Sequence, residues 1–176
     1  MTIENYLLDT NALITPFNLY YPFDIAPGFW HQMELAISKK NVFIIDNVYD
    51  EIMNENDNLA SWLKSVDNLN RLSTKTHEII NNYGQVQRYV AECGYYKKRG
   101  IDAWADEKIA DPWLIAAAIK YKAVIITFEK SIIGISAKGQ TFKSVKIPDV
   151  ASQFKIRCEN LFYFMRKMGI KWDINV

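Results

Sequence analysis

The chain has 176 residues, enough for one domain with a sizeable core and no need of disulfide or metal staples. Hydrophobic residues make up 49% and aromatics 14%, which excludes a disordered chain. With 21 basic and 20 acidic side chains the net charge is +1, so an anionic partner has to be held by a local patch rather than by a global field. MTIENYLLDTN has no basic segment ahead of an apolar stretch, and no run approaches membrane-spanning length, so neither a signal peptide nor a membrane is expected. Cys93 and Cys158 both fall on apolar faces of helical patterns. They are expected to be reduced core thiols of a cytoplasmic protein, with a disulfide between them as the lesser alternative.

The first element runs through IENYLLDTNALI, Ile3 to Ile14. An apolar run, Tyr6-Leu7-Leu8, stops at Asp9 and is followed by Thr10 and Asn11, which favour turns and caps. This predicts a strand that delivers a carboxylate to its own C-terminal end, where the ligand crevice of an open α/β sheet lies. Taken alone, Asp9 could equally cap the next helix.

Asn18 to Gly28, rich in Tyr, Phe and Pro, reads as a loop carrying aromatics onto a surface or lid. Trp30, Met33 and Ile37 recur at helical spacing within a helix predicted from Phe29 to Lys39. Val42 to Ile45 is a continuous, largely β-branched run, the pattern of a strand buried on both faces. Asp46 and Asn47 can cap the helix that follows, with Glu51 in about its first turn. An amphipathic helix is predicted over Asp57 to Leu69, and another from Thr76 through Cys93; together they read as an antiparallel pair over the sheet.

YYKKRG, from Tyr95 to Gly100, is the densest aromatic and basic cluster. Tyr95 and Tyr96 could stack bases while Lys97, Lys98 and Arg99 pair phosphates; a solvated helix end accounts for the same residues more simply. Asp111-Pro112 opens the helix WLIAAAIKY, with Asp111 as its expected N-cap. Ala123 to Thr127 is a third strand-like run, again ending in polar and acidic residues, Thr127 and Glu129. Ser131 to Ser144 reads as a loop, Val145 to Ile147 as a short last strand, and Asp149 as the cap of a short helix. A final helix, Leu161 to Met168, is stopped by Gly169. No repeat or linker divides residues 1–176.

Strands separated by helices predict an α/β fold, a three-layer α/β/α sandwich with a mainly parallel central sheet, and set the C-terminal strand ends along one edge. Asp9, Glu51, Asp111 and Glu129 would converge there. Carboxylates brought together repel one another unless cations intervene, and hard oxygen ligands suit Mg2+ or Mn2+ rather than zinc. Such ions can bind a phosphodiester and lower the pKa of bound water, which is the chemistry of nucleic-acid hydrolysis. His31 and His77 are isolated in sequence and are expected on the surface. No GxxxxGK[ST] or GxGxxG turn and no G-x-S-x-G elbow supplies a rival engine. Asp46, Asp106 and Asp149 lie near the same edge and read first as caps or solvated acids.

LLDTNALI (Leu7 to Ile14), VYDEI around Glu51, ADPWLIAAA (Ala110 to Ala118) and VIITFEK (Val124 to Lys130) together resemble the PIN domain, from Leu7 to about Gln153. IPDVASQF, Ile147 to Phe154, is similar to a bacterial PIN-like subgroup of toxins. The resemblance implies a metal-dependent endoribonuclease, commonly the toxin of a type II toxin-antitoxin pair, with RNA as substrate and a cognate antitoxin as partner. By the same resemblance Asp9 would be the central metal ligand, Glu51 and Asp111 its partners, and Glu129 the fourth acid. Thr10, Asn11 and Thr127 would orient a carboxylate or the water. The chain departs from the pattern at TFEK, where many PIN domains carry Asp and this one carries Glu129. Two alternatives stand beside this reading: a PIN-like module that binds RNA or a partner without cleaving, and a DNA-directed nuclease with the same site. Homodimerisation through Tyr20, Tyr21, Phe23 and Trp30 is a further expectation; core packing explains those residues equally well.

Overall fold

The computed structural model describes residues 4–133 and 141–171. The middle half of the loop expected between Ser131 and Ser144, with Gly134 and Gly139, lies outside the described residues. The described strands are β1 (Asn5–Leu8), β2 (Val42–Ile45), β3 (Arg71–Leu72), β4 (Ala123–Ile126) and β5 (Cys158–Glu159). They form one sheet in the order β3-β2-β1-β4-β5, and every pairing is parallel. β1 is central, with Tyr6 opposite Val42 on one side and Val124 on the other. All four residues of β4 are buried, as expected of a strand covered on both faces.

Helix α7 (Ala110–Tyr121) lies across the sheet. Its Ala116, Ala117 and Ala118 are buried, because small side chains let α5 (His77–Glu92) and the sheet approach it from either side. Asn82 of α5 donates to the Ala116 carbonyl at 3.2 Å, and Tyr83 stacks on Trp113 at 3.8 Å. α2 (Pro27–Ile37) and α9 (Leu161–Met168) form the second layer, tied by Gln32 to the Lys171 backbone at 2.8 and 3.0 Å. Successive strand side chains point to opposite faces. Asn5 reaches the end of α7 (2.9 Å to the Tyr121 carbonyl) while Tyr6 meets Phe164 of α9, so α7 and α9 cover opposite faces of the sheet. The α/β fold is therefore the expected three-layer one.

Several helix ends carry local caps. Asp57, Thr76 and Asn160 cap α4 (Asn58–Ser65), α5 and α9 with side-chain oxygens, and Gly169 ends α9 at φ 77°. Other expectations change. α4 packs on α3 (Asp46–Glu55) while α5 runs along α7, so the two are not the pair anticipated. Trp30 is buried against Phe23 and Trp62, at 4.5 and 4.7 Å, so it belongs to the core rather than to a dimer patch. Ile147 opens α8 (Ile147–Gln153) rather than closing a strand, because Pro148 with its preset φ fits a first helical turn. The last strand is β5, and it takes Cys158 out of its expected helix; two residues are too few to show an alternating pattern. Cys93 and Cys158 are both free thiols.

Candidate active site at the C-terminal edge of the sheet

Asp9 follows β1 directly, and only 3% of it is exposed. Its backbone N–H donates to the Ile126 carbonyl at 3.0 Å, which holds the end of β1 to the end of β4. The Thr127 hydroxyl donates to the Asp9 carboxylate at 2.7 Å and accepts from the Glu129 N–H at 3.0 Å. Asn11 sits behind both: its amide donates to the Thr127 hydroxyl at 3.2 Å, and its oxygen accepts the Phe128 N–H at 2.7 Å. Thr10 donates to Glu51 of α3 at 2.5 Å across the crevice. Thr10, Asn11 and Thr127 thus bond to the acids or to one another.

Asp111 lies in the first turn of α7, two residues past the N-cap Ile109 rather than at the cap as expected, because the helix already begins at Ala110. The N-terminal end of α7 favours a negative charge there. Burial, then the charges of Glu129 and Glu51, push the Asp111 carboxyl up to about 6. Burial, followed by the charge of Asp111, pushes Asp9 up to about 7. Each therefore feels the other acids, and in water neither would carry such a shift. The four predicted acids share one region, Asp9 and Asp111 within it and Glu51 at its exposed rim.

Glu129 has a different environment. Lys146 forms an ion pair with one of its oxygens, and the Ile147 N–H donates to the other at 2.8 Å. Trp104, buried at the end of α6 (Lys98–Trp104), lies beside Asp111, and its side chain opposes the upward shift of that carboxyl. Neither Lys146 nor Trp104 was found from sequence: an isolated Lys or Trp carries no motif, and both reach the site from segments that local patterns do not connect to it. The donor set at the crevice is all oxygen and fits a hard divalent cation. Among the described residues, no three His, Cys, Asp or Glu side chains already close on a single point as a finished cage. His31 and His77 are exposed, as expected.

Asp46, Asp149 and Asp106 have local duties. Asp46 accepts from the Thr74 N–H and hydroxyl, at 3.1 and 2.7 Å, and so ties α3 to the segment after β3. Asp149 accepts from the Ser131 hydroxyl and from the Ile132 and Ile133 N–H groups. Asp106 is exposed and accepts from the Lys108 N–H at 3.0 Å.

The aromatic and basic cluster is a strap as well as a surface. Tyr96 is buried, and the Tyr95 carbonyl and Lys97 N–H bond to Phe142 at 2.8 and 2.9 Å. A Cβ on Gly100 would stand 2.8 Å from the Lys143 carbonyl, so glycine allows the segment leading to Lys146 to pass close by. Lys97, Lys98 and Arg99 are exposed, and Lys98 pairs with Asp102 at 2.9 Å.

The fold is similar to VapBC2 from Rickettsia felis, described as bound to a DNA fragment from their promoter. The identity is 18% and the TM-score 0.51, over 88% of this chain and 97% of that one. It is also similar to DNA-bound VapBC from Salmonella typhimurium, at 16% identity and TM-score 0.52, over 90% of this chain and 99% of that one. At such identities the likeness concerns the fold. No curated protein matches the sequence. Residues 6–172 match the family described as "Domain of unknown function (DUF4411)", and the chain belongs to that family.

Proposed function

We propose that the chain is a metal-dependent endoribonuclease and the toxin of a type II toxin-antitoxin pair, with the acids Asp9, Glu51, Asp111 and Glu129 as its catalytic group. The observation that carries this reading is buried Asp9 with half-buried Asp111 near it at the ligand edge of the sheet, both carboxyls raised by desolvation and by the charges of the neighbouring acids. A divalent ion, Mg2+ or Mn2+, would supply Lewis-acid polarisation of a phosphodiester and a hydroxide at neutral pH. Asp9 and Asp111 would hold it, with Glu51 closing from the rim. Thr127 fixes the Asp9 carboxylate, Thr10 turns Glu51 inward, and Asn11 keeps Thr127 and the following backbone in place. Lys146 offsets one negative charge at Glu129, which is better suited to orienting water or Lys146 than to a free fourth ligand.

Exposed Lys97, Lys98 and Arg99 would meet the strand backbone. Lys98 lies six residues along α6 from Trp104, roughly 9 Å, and Trp104 touches Asp111. The similar structures are VapBC complexes, which supports an antitoxin partner that covers the crevice. A non-catalytic partner-binding module is the second reading, and the two donors already on Glu129 favour it.

The test is a paired measurement on purified protein. With Mn2+ at about 100 times its Kd, stability should rise by about 2.7 kcal/mol, and tRNA, rRNA or mRNA should be cleaved; Asp9→Asn should abolish both. A metal-loaded sample that leaves the whole RNA panel intact would favour the binding module, and cleavage of single-stranded DNA alone would reassign the substrate.

A further inference from the structure

Beside the acids, on the β5 side of β4, lies a cleft of about 530 Å³. It shares Thr127 and Glu129 with the acidic crevice, so the two are continuous. Its distinctive feature is a set of rings: Tyr20 stands 6.0 Å from Phe128, and Phe128 meets Phe162 edge-on at 6.4 Å. Tyr20 and Phe162 remain 50% and 39% exposed at the mouth. Large apolar rings left in water beside a polar crevice indicate a surface kept for a ligand.

The charges decide what kind of ligand. The carboxylates on the wall, Glu129 and Glu159, already pair with Lys146 and Arg157. Cys158 adds a neutral thiol, pushed up to about 12 by burial and by the neighbouring acids. Among the described residues of the lining, Lys130 is the cation. Such a wall is near charge balance, so it holds no excess of cations for a phosphate and suits a neutral, flat, unsaturated group whose polar edge can meet Asn160 and the carboxylates. The volume lies within the range of small-molecule sites.

We propose that this cleft is a base-stacking subsite, which takes one unpaired base of the RNA strand next to the phosphodiester held at Asp9 and Asp111. It rests on the ribonuclease reading and adds to it the single-stranded character of the substrate. Asn11 links the two places mechanically: its oxygen holds the Phe128 backbone, and its amide holds Thr127, which bonds Asp9. A base against Phe128 is therefore kept in fixed register with the carboxylate, which is how binding away from the reacting atoms aligns a substrate. Stacking tolerates any base, so the subsite selects an unpaired strand rather than a sequence.

The experiment uses the full chain and a labelled single-stranded RNA of mixed sequence, about eight nucleotides long. Anisotropy on the Asp9→Asn protein gives affinity, cleavage by the Mn2+-loaded chain with Asp9 intact gives kcat/KM, and Mn2+ titration gives metal affinity. Tyr20→Ala and Phe162→Ala should each weaken RNA binding and kcat/KM by about tenfold, leave Mn2+ affinity unchanged and unfold at the original temperature; Phe162→Trp should restore binding. A duplex of the same sequence should be indifferent to these changes. RNA affinity and kcat/KM unaltered by both alanine variants would overturn the subsite. If those variants instead release only a co-expressed protein partner, the cleft belongs to that partner and the proposal also fails. Absence of cleavage by the unsubstituted chain on every strand would remove the ribonuclease reading itself, a result separate from either of these.

Discussion

Two acids five positions apart, Glu4 and Asp9, stand at opposite ends of β1 and have opposite electrostatic fates. At the N-terminal end Glu4 accepts from the Tyr6 hydroxyl at 2.7 Å, from Arg157 at 2.7 Å and from Tyr163 at 3.1 Å. The Tyr6 hydrogen bond leads the causes that hold its carboxyl below the usual range. At the C-terminal end Asp9 has one hydroxyl donor from a side chain, deep burial and Asp111 for company, and its carboxyl rises to about 7. Arg157 closes one end, while the other keeps its negative charges facing one another. An end that is neutralised stabilises the fold; on the proposed function, the end left uncompensated would take up a cation.

The largest effect that separates the two ends is in the pH dependence of stability. Asp9 and Asp111 keep their protons to about 7 and 6, whereas the unfolded chain loses them near the ordinary value of 3.8. The folded state binds more protons across that window, so metal-free stability should fall as pH rises from about 4 to about 7, by on the order of 2–4 kcal/mol. Thermal melts in EDTA at pH 5 and pH 8 measure it, and Asp9→Asn should flatten most of the slope. Glu4 acts in the opposite sense: its contribution is present above its ordinary value of 4.5 and is lost as pH falls through its lower folded value. A metal-free protein more stable at pH 8 than at pH 5 would contradict the assignment of Asp9.

A smaller effect should follow at Glu129, the acid of the crevice that pairs with Lys146. Lys146→Met leaves Glu129 with the Ile147 N–H alone, and because the pair is mostly buried the expected loss is about 1–2 kcal/mol by urea denaturation without metal. Lys146→Arg should retain the stability. Saturating Mn2+ should recover part of the loss in the Met variant; a loss equal with and without Mn2+ would mean that Lys146 has no connection to the metal-binding charges.

The smallest effect is predicted at the far end. Arg157→Met leaves the two tyrosine hydroxyls on Glu4, and the pair it breaks is partly exposed, so about 0.5–1 kcal/mol should be lost. Cleavage should be untouched. A large drop in activity from this substitution would mean that the two ends of β1 are coupled.

Much of the frame was legible in local pattern. Leu7-Leu8-Asp9, Ile44-Ile45-Asp46 and Ile125-Ile126-Thr127 each mark the end of a strand, and parallel order then sets those ends on one edge. Asp57, Thr76 and Gly169 mark helix ends because a cap acts within about one turn of its own residue. β3 and β5, two residues each, have no period to detect, and α6 hides within a stretch that reads as a charged cluster.

What the sequence by itself determined is the α/β order of elements and the acids placed at strand and helix ends, because periodicity and capping are short-range. Only the tertiary structure decided that Lys146 returns to Glu129 from 17 residues away, that Trp104 meets Asp111, and that Tyr20 and Phe162 flank Phe128 across β4 and β5. Those meetings depend on the path of the connections, on Gly100 letting one backbone pass another, and on the summed burial that raises Asp9. None of these is a property of neighbours in the chain, since charge and solvation act through space.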